Sequence, residues 1–240
     1  MRKQLQILIL FLAISNVAIA QDDFTSQSTT EEGRISRVGL QVGMNSASMV
    51  FTKVSDPNIY PDLQFLPRLN AGIYSETGTT ENFVFHIGLF YSGSGYKTES
   101  ETVTLDYVQV PLVFNFRTDL FNDAYLQIGG GFYGAYAFSG KSTTDSQINR
   151  DIISTREADD ADDVNDFYVL DLGLLLKADF EYNINDKRIV KIGASYNFGV
   201  LNTSNEVTEN MGGGNFVTYD LGAKTRTLGI NLTYLINLAD

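Results

Sequence analysis

The feature that most constrains this chain is a strict alternation of apolar and other side chains over long segments. In Phe167–Ile184, every second residue from Tyr168 onward is apolar, and the intervening positions hold Asp171, Lys177, Asp179 and Glu181. Alternation with a period of two is the pattern of β-strands, whose successive side chains point to opposite faces. The sequence therefore predicts an all-β fold.

Eight segments carry this alternation and are predicted as strands: residues 34–45, 66–77, 82–97, 102–118, 124–139, 167–184, 188–201 and 222–237. A tilted strand needs ~9–11 residues to cross a bilayer, and all eight segments reach that length. The alternating segments hold no continuous apolar run of the ~20 residues that a membrane-spanning helix needs. Strands are therefore the predicted spanning elements.

The connections between these strands alternate in length. Short turns are predicted near 78–80, 119–123 and 185–187, and long polar loops at Ser46–Phe65, Gly140–Asp166 and Asn202–Leu221. Outer-membrane barrels combine an even strand number with short periplasmic turns and long external loops. We therefore predict an eight-stranded antiparallel up-and-down transmembrane β-barrel with both termini in the periplasm. The alternative is a soluble lipocalin-like barrel, in which the apolar side chains would point inward.

The N-terminus has the three-part order of a secretory signal peptide. Met1–Lys3 is basic, Leu5–Ile14 is almost purely apolar, and Ala18–Ala20 has the small-x-small pattern of a cleavage site. We predict a signal peptide at residues 1–20, a flexible periplasmic leader at 21–33 and the barrel at 34–240. A membrane anchor is the alternative, but the apolar stretch is short for a spanning helix.

Composition excludes several functions. The chain has 17 Lys and Arg against 29 Asp and Glu, a formal net charge of −12, which disfavours nucleic acid as a partner. It has no Cys, so disulfides, thiol nucleophiles and Cys-based metal sites are excluded. The glycine run at Asn210–Asn215 lacks the Lys-Ser/Thr pair and the following helix of a P-loop. No cofactor is predicted.

Charged side chains fall on the strand face that would line the lumen. The predicted ionic network is Arg117, Lys177, Asp179, Glu181 and Lys191. All of these except Lys177 lie within a few residues of a short turn and are predicted to cluster near the periplasmic end. The same face carries four further ions: Arg37, Arg68, Glu76 and Asp171. The interior of an eight-stranded barrel is just wide enough for side chains to fill, and buried charges must pair. We predict an ionic plug; a narrow channel or small-molecule conduit is the alternative.

The longest predicted external loop is strongly acidic. Its carboxylates Asp159, Asp160, Asp162 and Asp163 supply the oxygen ligands that Ca²⁺ prefers, and form a candidate divalent-cation loop. The run lacks the spacing and the turn glycine of an EF-hand loop, so a solvated loop is the alternative.

Two basic residues, Lys224 and Arg226, lie on the lipid-facing positions of the last strand, near its external end. A Lys or Arg at the bilayer midplane costs ~2–4 kcal/mol, so these residues are predicted at headgroup depth. Outer-membrane lipid and lipopolysaccharide are the predicted partners, with an envelope protein as a further candidate.

Two lumen-facing positions hold residues of special chemistry, His86 and Pro111. His86 is the sole histidine, and no Ser or carboxylate stands at a diagnostic spacing from it, so we predict that the protein is not an enzyme. Pro111 lies within a predicted strand and removes one ladder donor. We predict a β-bulge near Pro111, with its side chain in the lumen.

Three pieces of the sequence resemble the PorT-like outer-membrane β-barrel family. Val38–Asn45 resembles its G-x-x-x-G-x-N opening strand, Leu105–Leu112 its L-x-Y-x-x-x-P-L strand, and Tyr125–Gly131 its aromatic, glycine-rich segment. The resemblance implies a signal-bearing barrel of a Gram-negative outer membrane. The founding member takes part in type IX secretion, so an accessory role in such a system is one expectation. A structural or binding role through the external loops is the main prediction.

Overall fold

The computed structural model describes residues 35–52, 63–78, 80, 82–144, 150–152, 167–201, 203, 206–210, 216–220 and 222–238. Within these ranges, no helix has the length and apolarity needed to cross a membrane. The predictions for the signal peptide, for the leader and for Asp159, Asp160, Asp162 and Asp163 lie outside the described residues.

The described residues form one closed barrel and three short additional strands. The strands are β1 (Ile35–Phe51), β2 (Leu66–Gly78), β3 (Phe83–Lys97), β4 (Glu101–Phe121), β5 (Ala124–Thr144), β6 (Arg150–Asp151), β7 (Leu170–Asn185), β8 (Arg188–Gly199), β9 (Glu206–Asn210), β10 (Phe216–Asp220) and β11 (Ala223–Asn237). The barrel order is β4-β3-β2-β1-β11-β8-β7-β5, and pairing of β5 with β4 closes it. All its neighbours are antiparallel, which confirms the predicted eight-stranded fold.

The barrel has two unlike ends. The short-turn end holds the connections from β2 to β3, from β4 to β5 and from β7 to β8, together with the start of β1 and the end of β11. The two-residue turn between β4 and β5 places Asp123 at φ 61°, a left-handed conformation that Asp tolerates better than most residues. The opposite, long-loop end holds the remaining connections.

Two strands, β1 and β5, extend further toward the long-loop end than the sequence predicted, whereas β7 begins at Leu170 and β8 ends at Gly199, short of the predicted 167 and 201. β1 runs to Phe51 and β5 to Thr144, so the loops predicted to begin at Ser46 and Gly140 begin later. The reason is backbone pairing, since Glu101–Leu105 of β4 pairs with the end of β5 although apolar alternation has stopped there. The loop predicted at Asn202–Leu221 also contains the hairpin of β9 and β10.

The apolar side chains point out of the barrel. On β4, Phe114 is 66% exposed while its neighbour Val113 is fully buried; on β7, Leu174 is 44% exposed and Leu175 only 6%. An exposed apolar belt of this extent has to meet lipid or another apolar surface. The soluble alternative, with apolar side chains inward, is therefore contradicted.

Pro111 behaves differently from the prediction in one respect. Its side chain is buried in the lumen, as predicted. However, the pairing offset between β3 and β4 is the same on both sides of Pro111, so no bulge lies there. The register shifts of β4 against β5 lie elsewhere, between Asp106 and Tyr107 and between Asp119 and Phe121. Proline has no backbone N–H to donate, so the β3–β4 pairing is interrupted at Pro111, but the register of the two strands does not change.

Candidate functional site

The lumen near the short-turn end is filled by an ion cluster, defined as Arg37, Glu76, Arg117, Glu181 and Lys191. Glu181 is its centre, because its carboxylate accepts hydrogen bonds from Arg37 Nη1 at 2.9 Å and from Arg117 Nη2 at 2.8 Å and Nε at 3.1 Å. Lys191 Nζ lies 3.1 Å from the second carboxylate oxygen, Oε2. Gln127 donates to that same oxygen at 2.6 Å.

Glu76 joins the ion cluster from the neighbouring strand. Lys191 Nζ donates to Glu76 Oε1 at 2.5 Å, and Arg37 Nη1 lies 3.6 Å from Oε2. No member of the cluster is more than 6% exposed. Buried ions are tolerated when they are paired and hydrogen-bonded, and here each carboxylate meets two or three cations.

The predicted network divides into two groups in the structure. Arg117, Glu181 and Lys191 lie in the ion cluster, whereas Lys177 and Asp179 pair with each other, with Nζ and Oδ2 3.0 Å apart. Sequence reasoning placed Arg37 and Glu76 on the lumen face but outside the network. The missing signal was strand register, since Arg37 and Glu76 are direct cross-strand partners.

Arg68 does not lie in the lumen, contrary to the prediction. Its guanidinium forms an ion pair with Asp106, and the Tyr91 hydroxyl donates to the same carboxylate at 2.6 Å. Asp106 and Tyr91 occupy outward positions on their strands. Pairing of β2 with β3 begins only at Asn70, so the end of β2 at Arg68 is free of that ladder and its side chain can reach the outer face.

A polar belt occupies the middle of the lumen, defined as Gln41, Asn70, Gln109, Asn197 and Asn231. These side chains line a cavity of about 30 Å³, and none is more than 8% exposed. A water molecule needs ~10–15 Å³ on this measure, so the cavity has room for about two waters. The space that these described side chains leave is therefore much smaller than a hydrated solute.

His86 lies beside the polar belt and packs against an aromatic ring. Its ring stacks on Tyr74, with centroids 4.1 Å apart and planes 8° apart. Among the described residues, neither ring nitrogen has a hydrogen-bond partner. A nucleophile and base in a catalytic set normally lie within hydrogen-bond reach of each other, and the described part of the lumen shows no such pair at His86.

The long-loop end of the lumen is closed by an apolar cap. Its members are buried, none more than 7% exposed, and are Met49, Tyr96, Val103, Leu105, Ile152 and Phe167. Ile152 and Phe167 lie outside the barrel strands, on the two sides of the long connection between β5 and β7, and both are buried in the cap. Sequence reasoning missed the cap because it placed Ile152 in a solvated loop and Phe167 only at the start of a strand. The available signal was the run of apolar inward residues at the start of β4.

Lys224 and Arg226 lie at the long-loop end of β11, paired with Val50 and Ser48 of β1. They alternate with buried Thr225 and are partly exposed, which places them on the outer face. The Arg226 guanidinium lies 5.5 Å from the centroid of the Phe198 ring. Contact with lipid headgroups remains a prediction for both residues.

No group of three or more His, Asp or Glu side chains that could hold a metal ion is found among the described residues. The acidic loop predicted as a divalent-cation site lies outside them.

Comparison with known proteins gives one family match. Residues 20–205 match the family model described as outer membrane protein beta-barrel domain. That description is broader than the PorT-like resemblance, which stays a prediction. No curated protein matches the sequence.

Among solved structures, the chain is similar to the outer membrane protein AlkL, with 12% identity and a TM-score of 0.49 over 90% of this chain and 97% of that one. It is also similar to OprG from Pseudomonas aeruginosa, with 11% identity and a TM-score of 0.47 over 88% and 98% of the two chains. A third likeness is to Ail of Yersinia pestis, with 10% identity and a TM-score of 0.38 over 85% and 99%.

Proposed function

This chain belongs to the outer membrane protein β-barrel domain family, and we propose on that premise that it is a closed barrel with a structural and binding role. In this proposal the protein is exported to a Gram-negative outer membrane by a signal peptide cleaved after Ala20. The short-turn end faces the periplasm, and the long-loop end faces the exterior and carries the function. The barrel has no enzymatic activity.

The observation that carries the closed-lumen part of the proposal is the presence of two different seals. The ion cluster fills the lumen at one end and the apolar cap at the other, and the cavities between them have volumes of only about 30 Å³ and 10 Å³. Removing one partner of a buried ion pair typically costs ~3–5 kcal/mol, so spontaneous opening of the ion cluster would be rare. This supports a plugged barrel over a narrow channel or small-molecule conduit.

The binding part of the proposal rests on the outer face at the long-loop end. Lys224 and Arg226 lie outward there, the paired ends of β4 and β5 lengthen the wall at this end, and β9 and β10 form a hairpin in the connection before β11. Anionic lipopolysaccharide is the proposed partner of the two cations. An envelope protein is the second candidate partner, and a type IX-like secretion accessory is the family-level form of that candidate.

Planar-bilayer recording tests the closed lumen. Wild-type protein in its folded state should give no unitary conductance steps, while a porin in the same bilayers serves as the positive control. Reproducible steps from the wild type would contradict the plugged barrel and favour the channel. Steps that disappear when Lys177 and Asp179 are both neutralised would assign the conducting path to the lumen rather than to a contaminant.

Lipopolysaccharide binding to the purified barrel tests the binding role. A basic side chain near an anionic membrane surface contributes ~1 kcal/mol, so the Lys224→Gln, Arg226→Gln double variant should bind roughly tenfold to thirtyfold more weakly. Arg188→Gln, an exposed cation at the short-turn end, is the matched control and should bind as the wild type. Equal binding by all three proteins would contradict the proposal. Capture of a stable protein from intact outer membranes would favour the second candidate.

A further inference from the structure

A second, smaller cavity lies between the polar belt and the apolar cap. Its volume is about 10 Å³, close to one water-sized sphere. Four of the oxygen atoms on its lining residues have no hydrogen-bond partner among the described residues: Asp171 Oδ1, Ser94 Oγ, Tyr107 Oη and Asn197 Oδ1. Each of these four residues is at most 8% exposed. Several unpartnered oxygens are therefore gathered around one small space.

Only one of the two carboxylate oxygens of Asp171 accepts hydrogen bonds from the described residues. Its Oδ2 accepts a hydrogen bond from Thr225 Oγ1 at 2.6 Å and one from the Tyr133 hydroxyl at 3.2 Å. Its Oδ1 accepts none. The two donors hold one oxygen of the carboxylate and leave the other directed to the remaining space.

No basic side chain among the described residues neutralises Asp171. Lys177 is six positions along β7, about 20 Å at the rise of a strand, and its ammonium group engages Asp179. The other lumen cations belong to the ion cluster, still further along the barrel. An isolated buried carboxylate is costly, so this group is either protonated or balanced by a positive charge bound beside it.

Space beside Asp171 Oδ1 is preserved by a glycine. A Cβ at Gly199 would lie 3.1 Å from Oδ1 and 2.5 Å from Thr225 Oγ1. Any side chain at this position would crowd the open oxygen and displace Thr225. Gly199 therefore leaves open the space beside the Asp171 carboxylate that a side chain at this position would occupy.

We propose that this cavity binds a monovalent alkali cation. The four unpartnered atoms that would act as ligands are all oxygens, which hard cations prefer over nitrogen or sulfur. One carboxylate balances one positive charge, and the volume suits a single ion without its hydration shell. The ligands come from four strands: β3 through Ser94, β4 through Tyr107, β7 through Asp171 and β8 through Asn197. The ion therefore ties opposite walls of the barrel together below the apolar cap.

Sodium-23 NMR relaxation with the folded, full barrel in detergent micelles tests the site. The wild type should broaden the sodium signal in a saturable way, and added K⁺ should compete. Asp171→Asn keeps the shape of the side chain but removes the charge, and should abolish this saturable broadening. Asp119→Asn, an exposed carboxylate at the short-turn end, is the matched control and should behave as the wild type.

The stability of the barrel gives an independent readout. A cation at a hundred times its dissociation constant should shift the unfolding equilibrium of the wild type about a hundredfold relative to choline at equal ionic strength. Asp171→Asn should lose that difference, and Ser94→Ala, which retains the charge, should bind several-fold more weakly. If the wild type and Asp171→Asn respond identically to sodium, the cavity holds water beside a protonated carboxyl and the proposal is wrong. If Asp171→Asn does not fold, Ser94→Ala decides: unchanged sodium affinity overturns the proposal.

Discussion

The two ends of the lumen are closed by opposite chemistry. The ion cluster is built from cross-strand partners, because Arg37 faces Glu76 and Glu181 faces Lys191 in neighbouring strands. The apolar cap instead combines strand residues such as Leu105 with Ile152 and Phe167, which lie outside the barrel strands. Strand register alone therefore builds one seal, whereas the other depends on connecting segments.

The ion cluster should fail most severely when its centre is removed. Glu181→Ala leaves Arg37, Arg117 and Lys191 facing one carboxylate in a buried site. We expect the free energy of unfolding to fall by ~3–5 kcal/mol, measured by urea titration in phospholipid vesicles. Asp119→Asn, exposed on the same barrel end, is the control and should change little. A loss below about 1 kcal/mol for Glu181→Ala would show that this end is not held by buried charge.

The apolar cap should lose less stability on truncation, and by a different mechanism. Leu105→Ala removes a fully buried side chain of the cap and leaves a cavity at the long-loop end. We expect a loss of roughly 2–3 kcal/mol, because the connecting segments can partly collapse into the space. Adding salt should leave this loss unchanged in the same urea titrations. A loss equal to that of Glu181→Ala, or one that salt modulates, would remove the contrast between the two seals.

The ion pair outside the lumen should contribute least. Arg68 and Asp106 have side chains about one-fifth exposed, unlike the members of the ion cluster. Asp106→Asn should lower the free energy of unfolding by less than about 1 kcal/mol, and raising the salt concentration should shrink that difference further. A larger, salt-independent loss would mean that this pair belongs energetically with the buried ions.

The sequence predicted the barrel well because side-chain alternation reports directly on which face of a strand is buried. It placed Glu181, Lys191 and Arg117 in the lumen from parity alone. It could not separate Lys177 and Asp179 from the ion cluster, because that depends on the register and reach of side chains across strands. The prediction that Arg68 faces the lumen was wrong for a related reason. Alternation no longer indicates the direction of a side chain where the end of a strand is not paired with its neighbour.

The apolar cap could not be predicted from alternation. Ile152 lies in a segment without a strand period, and Phe167 stands at the first position of a predicted strand, where alternation does not indicate that it packs against the other cap residues. Asp171 was placed correctly on the lumen face, but its lack of a cationic partner became visible only with all neighbouring strands in position.

The outward direction of the apolar side chains is the central claim, and a pair of adjacent residues on β5 tests it most directly. Phe132 is 61% exposed and Tyr133 only 5%, and the chain contains no Trp. Single-tryptophan variants Phe132→Trp and Tyr133→Trp in vesicles with brominated acyl chains therefore have no background fluorescence from other tryptophans. We predict strong quenching at position 132 and weak quenching at 133. Equal quenching at both positions, or stronger quenching at 133, would contradict a barrel whose apolar face meets lipid.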